Sequence, residues 1–401
     1  MKNIIFISKD ALRKGALPTY GNREWQTPNI DALAEKGTVF HRHYTAGSST
    51  AMAFTSMAIQ KYCYSTDRKL YDGRESSENG NTIFDILYEK GYDVHIAWDD
   101  SYTAFARSHF RCEGLHTTVH SLKSIIPHHA PHVEGEFDDL TFKPEETEQG
   151  IRIIDELFTG LKSTEKPLFL WLHLPHVFIG RNAYDSDIDI YDRIIGMARE
   201  AFGDDCIYVS ADHGQMNGHK GKFGYGFDVE ESAICIPLIT PRFNGMERVD
   251  FPTTTTQMLE IFGVSPFERR EYVLCETAYY VQPKRRVAIV HGRYKLVYDK
   301  ETKRYALYDV IRDEAEEHNL FYPEFYDVDR RCWYSLNQRF YYPEWHLVEE
   351  EKQYLLNVHK EMWKNGGFFE ELVQKVMFRL KFLYSRLSQK KAKRKIVNIG
   401  K

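Results

Sequence analysis

The chain has 401 residues, of which 42% are hydrophobic and 14% aromatic, and its formal net charge is −5 at pH 7. This composition excludes wholesale disorder, and the near-balanced charge gives no indication of nucleic acid as a partner. No apolar run approaches the roughly 18–20 residues that cross a bilayer, and Ile4–Ile7 is too short for a secretory signal. Six scattered cysteines without a CxxC pair fit a reducing compartment, so we expect a cytoplasmic protein.

Residues 1–266 alternate short apolar runs with helical patterns. The runs predicted as buried strands are Asn3–Ser8, Val94–Trp98, Pro167–Leu174, Cys206–Ser210 and Ile234–Ile239. The segments predicted as helices are Pro28–Lys36, Asn81–Lys90 and Glu145–Lys162. This alternation predicts an α/β catalytic core with a mostly parallel sheet, whose ligand site lies beyond the carboxyl ends of the strands.

Residues 267–320 change to a period of two, which predicts a small antiparallel subdomain packed on the core. Its expected strands are Arg286–His291, Tyr294–Tyr298 and Arg304–Tyr308, with a turn at 300–303.

Residues 321–401 are predicted as an aromatic linker and a basic helical extension, interrupted at Gly366-Gly367. Residues 375–401 are rich in Lys and Arg and lack Asp and Glu. A basic amphipathic helix predicts peripheral contact with the inner face of a membrane. The alternative is a helix that docks on the protein. The sequence gives no oligomeric state.

Polar side chains follow two of the predicted strands. Asp10 ends the first strand, and Asp212 and His213 follow the fourth. Carboxylate and imidazole ligands that converge from strand ends suit a divalent cation such as Mn²⁺, Zn²⁺ or Ca²⁺. The sequence does not decide whether a second metal ion binds. The aspartates Asp185, Asp187 and Asp189 lack the glycine and glutamate of an EF-hand, so we expect a solvated acidic loop there.

A cluster of hydroxyl side chains, Ser48-Ser49-Thr50, precedes a predicted helix from Ala51 to about Gln60. A helix N-terminus favours an anion, and a hydroxyl beside a metal ion can become a nucleophile. The alternative is an ordinary helix cap.

Over roughly residues 2–321 the chain resembles the sulfatase branch of the alkaline phosphatase superfamily. The segments that carry the resemblance are Asn3–Asp10, Tyr20–Asn22, Thr27–Tyr44, Leu172–His176, Ser210–Gly226, Glu230–Ser232, Ile236–Leu238, Gly292–Leu296 and Ala306–Phe321. The resemblance implies an alkaline-phosphatase-like α/β/α sandwich.

The resemblance also implies roles for individual residues. Asp10, Asp212 and His213 match metal ligands, and the nucleophile position, which also contacts the metal, falls on Thr50. Ser49 is the alternative if the register differs by one residue.

Three further residues match groups that contact the substrate. His176 matches a histidine that contacts the anion or leaving group, His219 matches the histidine of the glycine-rich loop, and Lys222 matches a lysine on the substrate anion.

The window Thr50–Phe54 departs from the family pattern. It lacks the Cys/Ser-x-Pro-x-Arg motif that sulfatases oxidise to formylglycine. A threonine nucleophile resembles the phosphodiesterase and phosphoglycerol- or phosphoethanolamine-transferase relatives. The resemblance therefore implies a metal-dependent hydrolase or transferase acting on a phosphoester of a glycan or lipid head group. The alternatives are a sulfuric ester or phosphonate hydrolase with an atypical nucleophile, and an inactive glycan-binding protein.

Overall fold

The structure, a computed structural model, describes most of the chain. The described residues are 1–62, 82–99, 117–122, 144–174, 183–277, 286–321, 324–327, 332–335 and 345–365. The chain divides into two compact units, residues 1–352 and 353–401. His176 and the basic segment 375–401 lie outside the described residues. Among the described helices, none combines the length and the apolarity needed to cross a membrane.

The described elements follow the predicted alternation of strands and helices. The strands are β1 (Ile4–Lys9), β2 (Thr38–Tyr44), β3 (Asp93–Asp99), β4 (Thr117–Leu122), β5 (Leu168–Leu174), β6 (Ile207–Ala211), β7 (Met216–Asn217), β8 (Phe223–Gly224), β9 (Cys235–Thr240), β10 (Arg248–Val249), β11 (Thr253–Thr254), β12 (Val273–Glu276), β13 (Arg286–His291), β14 (Tyr294–Asp299), β15 (Arg304–Asp309), β16 (Glu324–Asp327) and β17 (Cys332–Ser335). The α-helices are α1 (Pro28–Lys36), α2 (Thr50–Ile59), α3 (Ile83–Glu89), α4 (Pro144–Leu161), α5 (Ala183–Phe202), α6 (Glu231–Ile234), α7 (Met258–Ile261) and α8 (Trp345–Asn365). Short 3-10 helices lie at Lys14–Ala16, Pro18–Tyr20, Asp204–Cys206, His219–Gly221 and Thr255–Gln257.

A mixed, mostly parallel sheet forms the centre of the first unit. Within the described residues it has nine strands in the order β10-β2-β9-β6-β1-β5-β3-β4, and β11 also pairs with β2. Strand β1 runs parallel to β5 and β6, whereas β9 runs antiparallel to β2 and β6. The carboxyl ends of β1, β2, β5 and β6 therefore meet at one edge, and the predicted α/β fold is confirmed.

Helices cover both faces of this sheet because its strands are apolar on both sides. In β1, Ile5 and Ile7 pack in one core with residues of α1, α4 and α5. Ile4 and Phe6, which point to the opposite face, pack in a second core with residues of α2, α3 and α7. Successive side chains of a strand alternate between faces, so one continuous apolar run supplies both cores.

The predicted small antiparallel sheet is also present, with the order β12-β13-β14-β15. A fully buried lysine of this sheet, Lys295, binds Glu231 at 3.0 Å and Glu316 at 2.5 Å, and its Nζ donates to Val229 O at 2.8 Å. Burial by itself lowers the pKa of Lys295, but the two carboxylates outweigh it and the net shift is upward. The ion cluster therefore joins β14 to the segment that carries α6.

The prediction of an acidic loop at residues 185–189 is wrong, because these residues lie in helix α5. Ile188, Tyr191 and Ile195 recur at helical spacing and are buried, so the apolar face of the helix determines the structure. The aspartates occupy the remaining positions of its first turns. The tyrosine hydroxyl lies 2.9 Å from Ile7 O and 3.0 Å from Ser210 O, which ties the helix to β1 and β6.

Replacing Lys295 by Met should lower the free energy of unfolding by about 3–5 kcal/mol, because Glu231 and Glu316 would stay buried without their cation. Urea denaturation measures the loss, and adding Glu316→Gln should recover part of it. Lys36→Met is the control: its exposed ion pair with Asp204 should contribute less than about 1 kcal/mol. Equal losses for the two lysines would contradict the ion-cluster interpretation.

Buried His43 should make the protein sensitive to acid. Its ring lies 3.0 Å from Thr253 Oγ1, and burial lowers its pKa from 6.5 to about 3. Between these values the unfolded chain binds a proton that the folded chain does not, so stability falls as the pH drops. From pH 8 to pH 5 this contribution is about 2 kcal/mol. Urea denaturation at both values should show that the destabilisation caused by His43→Gln is smaller at pH 5 by this amount; an equal destabilisation at both would contradict the assignment.

Candidate active site and metal centre

The register of two parallel strands brings the predicted metal ligands together. Lys9 at the end of β1 pairs with Ala211 at the end of β6, so Asp10 and Asp212 follow at the same level of the sheet edge. The backbone N–H of Ala11 donates to Asp212 Oδ1 at 3.1 Å, which closes the gap between the two strand ends. Ala11 adopts a left-handed backbone conformation with φ +55°, where the chain turns sharply away from the sheet.

Three oxygen atoms surround one ring nitrogen of His213. Its Nε2 lies 3.1 Å from Thr50 Oγ1, 3.4 Å from Asp212 Oδ2 and 3.5 Å from Asp10 Oδ1. The other ring nitrogen, Nδ1, lies 2.9 Å from Gly214 O, which can only accept a hydrogen bond. In the neutral ring Nδ1 therefore carries the proton, and Nε2 presents a lone pair to the three oxygens.

This donor set fits a divalent cation. Asp10, Asp212 and His213 are fully buried, and their potential ligand atoms lie within 4.8 Å of one another. Separations of 3.4–3.5 Å match the edge of about 3.4 Å expected for a tetrahedron with bonds of 2.0–2.2 Å. A lone pair facing two carboxylates is repulsive unless a positive charge lies between them. Among the described residues, this is the one such group of three.

The electrostatics of Asp212 reflect the same crowding. Burial raises the pKa of this carboxyl to about 6; His213 opposes the shift, and the neighbouring Asp10 adds to it. Two carboxylates brought together in a low-dielectric site disfavour the ionised pair, and a bound cation would reverse that effect.

Thr50 is the first residue of α2 and follows a tightly held loop. Ser48 N–H donates to Glu276 O at 3.0 Å and Glu276 N–H donates to Ala46 O at 3.1 Å, so β12 of the small sheet fixes the loop. A Cβ on Gly47 would lie 2.4 Å from Met52 Cβ, so only glycine lets the loop approach the helix this closely.

The adjacent hydroxyl, Ser49, is the residue before the helix, and it is Thr50 whose oxygen contacts His213. The choice of Thr50 over Ser49 for the nucleophile position stays a prediction.

His173 is buried beside the site. Trp171 Nε1–H donates to Ser8 Oγ at 2.9 Å, and this hydroxyl lies 2.8 Å from His173 Nδ1. Burial lowers the pKa of His173 to about 3, and the nearby carboxylate of Asp10 partly opposes the shift. Its ring also meets Phe54 of α2 edge-on at 4.6 Å. The sequence predicts a core histidine at this position, but its closeness to Asp10 and His213 follows only from the fold.

The other predicted substrate contacts are less fully described. Lys222 is half-buried, and its Nζ binds Asp228 and Glu230, each at 2.5 Å. His219 begins a 3-10 turn, and its side chain is outside the described part of the structure, as is all of His176. Their roles at the substrate stay predictions.

Sequence reasoning overlooked Tyr225. Its ring centroid lies 4.4 Å from that of His213, with an angle of 34° between the planes. The signal available in the sequence was the alternation of glycine and aromatic residues over 221–227, directly after the metal-ligand motif. The partners of Lys222 were also available there, as acidic residues six and eight positions further along the chain.

The cluster should bind one equivalent of Mn²⁺ or Zn²⁺, measured by elemental analysis after dialysis and by titration calorimetry. Asp10→Asn and His213→Ala should each weaken binding by at least about tenfold, because each removes a ligand. The control is Asp192→Asn, which changes a buried aspartate that binds the N-terminus of α1 instead. Equal affinities in all four proteins would exclude this cluster as the site.

Comparisons with known proteins identify the family. A sequence model of the Sulfatase family matches residues 2–240, more than half of the chain. No curated protein matches the sequence significantly.

Solved structures share the fold at low sequence identity. A 2-O GAG sulfatase aligns with a TM-score of 0.65 at 13% identity, over 92% of this chain and 94% of that one. The phosphonate monoester hydrolase of Agrobacterium radiobacter aligns with a TM-score of 0.63 at 16% identity, over 90% and 96%. A protein in complex with its substrate D-glucosamine-2-N,6-O-disulfate aligns with a TM-score of 0.58 at 14% identity, over 91% and 98%. Because the family model covers more than half of the chain, and the predicted cluster lies at the strand ends, the chain belongs to the sulfatase family.

Proposed function

We propose that this protein is a metal-dependent hydrolase that cleaves a phosphoester of a glycan, with Thr50 as the nucleophile. The observation that carries the proposal is the distance of 3.1 Å between Thr50 Oγ1 and His213 Nε2, inside the buried cluster with two carboxylates. A hydroxyl at this distance from the proposed metal ligands lies where a bound cation would lower its pKa, which activates it as a nucleophile.

Asp10, Asp212 and His213 would hold the cation, and Thr50 would complete its surroundings. When bound there, a divalent cation acts as a Lewis acid that polarises a phosphoryl oxygen and favours deprotonation of a neighbouring hydroxyl. The N-terminal N–H groups of α2, which begins at Thr50, add positive potential for the substrate anion.

The reaction has two steps. Thr50 passes its hydroxyl proton to the Asp212 carboxylate, to which it is hydrogen-bonded, and its Oγ1 attacks phosphorus. The new O–P bond forms as the bond to the substrate alcohol breaks. The alcohol leaves with a proton, for which the resemblance points to His176 or His219. Water then attacks the phosphothreonine, which releases phosphate and restores the hydroxyl. A sugar or lipid hydroxyl in place of water would make the enzyme a transferase.

Two observations support the choice of substrate. The structural neighbours include a GAG sulfatase and a protein whose stated substrate is a sulfated glucosamine, which supports an ester on a sugar. Thr50 is neither the cysteine nor the serine that the family converts to formylglycine, and the window to Phe54 lacks the rest of that motif. The unmodified hydroxyl therefore favours phosphate over sulfate.

Thr50→Val should reduce turnover of p-nitrophenyl phosphate at saturating Mn²⁺ by at least about 10³-fold, because the variant keeps the shape of the side chain and loses the nucleophilic oxygen. Thr50→Ser, which keeps an oxygen at the same position, should retain most of the activity. Steady-state kinetics on p-nitrophenyl phosphate, bis-p-nitrophenyl phosphate, p-nitrophenyl sulfate and a phenyl phosphonate ester makes the comparison.

Activity that survives in Thr50→Val would contradict the assigned nucleophile. Turnover of the sulfate ester in preference to both phosphate esters would contradict the proposed ester class, while leaving the family unchanged. A metal-loaded protein that hydrolyses none of the four esters would favour a strict transferase or a binding protein.

A further inference from the structure

The hairpin that follows the metal ligand His213 has features that neither the fold nor the proposed chemistry requires. Residues 216–226, here called the aromatic hairpin, contain β7 and β8. Gly218, Gly224 and Gly226 adopt left-handed backbone conformations with φ of +88°, +93° and +86°, which favour glycine. The hairpin is therefore a specifically shaped turn and not an extended surface loop.

Its two lysines are committed to contacts within the protein. Lys220 Nζ donates to Glu316 O at 2.7 Å and lies 5.5 Å from the centre of the Tyr308 ring. Lys222 binds Asp228 and Glu230, and Arg286 adds a second cation to Asp228. The contacts of both lysines anchor the hairpin, and the charge of Lys222 is neutralised by its two carboxylate partners.

The aromatic side chains of the hairpin differ from its lysines, because one of them faces solvent. Phe223 is 60% exposed, and a Cβ on Gly218 would come within 2.9 Å of its ring, so the ring rests on a glycine and opens to solvent on its other side. Two residues further on, the Tyr225 ring lies against His213. The hairpin thus carries one exposed ring, Phe223, and two residues later a ring that contacts His213, and an exposed ring is a surface on which a ligand can bury apolar area.

We propose that Phe223 and Tyr225 form a subsite for the sugar ring that carries the ester; this rests on the proposed function. A pyranose ring presents C–H bonds on its faces and hydroxyls at its edges, so an aromatic ring can cover a face without breaking hydrogen bonds. Because Lys222 is paired with two carboxylates and Lys220 donates to a carbonyl oxygen, both lysines are engaged within the protein, and the subsite suits a sugar without further anionic groups. The substrate class is therefore a monoester of an otherwise uncharged sugar.

The test compares kcat/KM for glucose 6-phosphate with kcat/KM for ethyl phosphate, with the corresponding sulfates run in parallel. Both esters carry the same reacting group, but only one has a ring. In Phe223→Ser the ratio of the two values should fall about tenfold, the loss expected for one aromatic face. Phe223→Trp should restore the ratio, and Tyr225→Phe, which keeps the ring, should lower it less than Tyr225→Ala.

The control is Ile311→Ser, which removes an apolar side chain that is 59% exposed elsewhere in the same unit. Its ratio should match that of the unchanged protein. A Phe223→Ser ratio within about twofold of the original would overturn the subsite. So would an equal fall in the Ile311→Ser control.

A binding experiment separates this proposal from the catalytic one. Saturation-transfer NMR with glucose 6-phosphate and the metal-loaded Thr50→Val variant reports contact with the sugar ring without turnover. Saturation of the ring protons that disappears when Phe223→Ser is added supports the subsite, even if no ester is hydrolysed. Saturation that is unchanged, or absent before the second substitution, overturns it.

Discussion

The site depends on burying two carboxylates and one imidazole in the same place. Asp10, Asp212 and His213 have no solvent exposure, and desolvating like charges together is unfavourable unless a cation compensates for them. Parallel pairing of β1 with β6 imposes this proximity, since residues that follow paired strand ends must lie side by side. The family match and the orientation of His213 Nε2 both agree with a cation there.

The rest of the first unit stabilises this unfavourable arrangement. Helix α5 contributes Tyr191, whose hydroxyl lies within hydrogen-bond distance of β1 and β6 shortly before Asp10 and Asp212. The small antiparallel sheet holds the loop before Thr50 through Glu276 and is itself joined to the α6 segment by the Lys295 ion cluster. Although this sheet contributes none of the three residues of the cluster, it holds the loop that leads to the hydroxyl of α2. Stability of the sheet and geometry of the site are therefore coupled.

Much of the fold and part of the candidate site were predictable, because they depend on local sequence patterns. Continuous apolar runs are typical of strands buried on both faces, and the helix Pro28–Lys36 was predicted with its correct bounds. The rule that ligands gather at the carboxyl ends of parallel strands places Asp10 and Asp212 at one edge from the sequence alone. The prediction of a loop at Asp185 and its neighbours is wrong because it rests on their charge, whereas the apolar period of the following residues determines the helix.

What the sequence by itself determined is the family, the α/β architecture and the residue types at the strand ends, since each is encoded in short segments. Only the tertiary structure decided that Lys222 binds Asp228 and Glu230, that Tyr225 lies against His213, and that His173 lies near Asp10 and His213. The physical reason is that a contact depends on how separate segments pack. Charge and hydropathy along the chain indicate which kind of partner a side chain requires, but the fold determines which residue provides it.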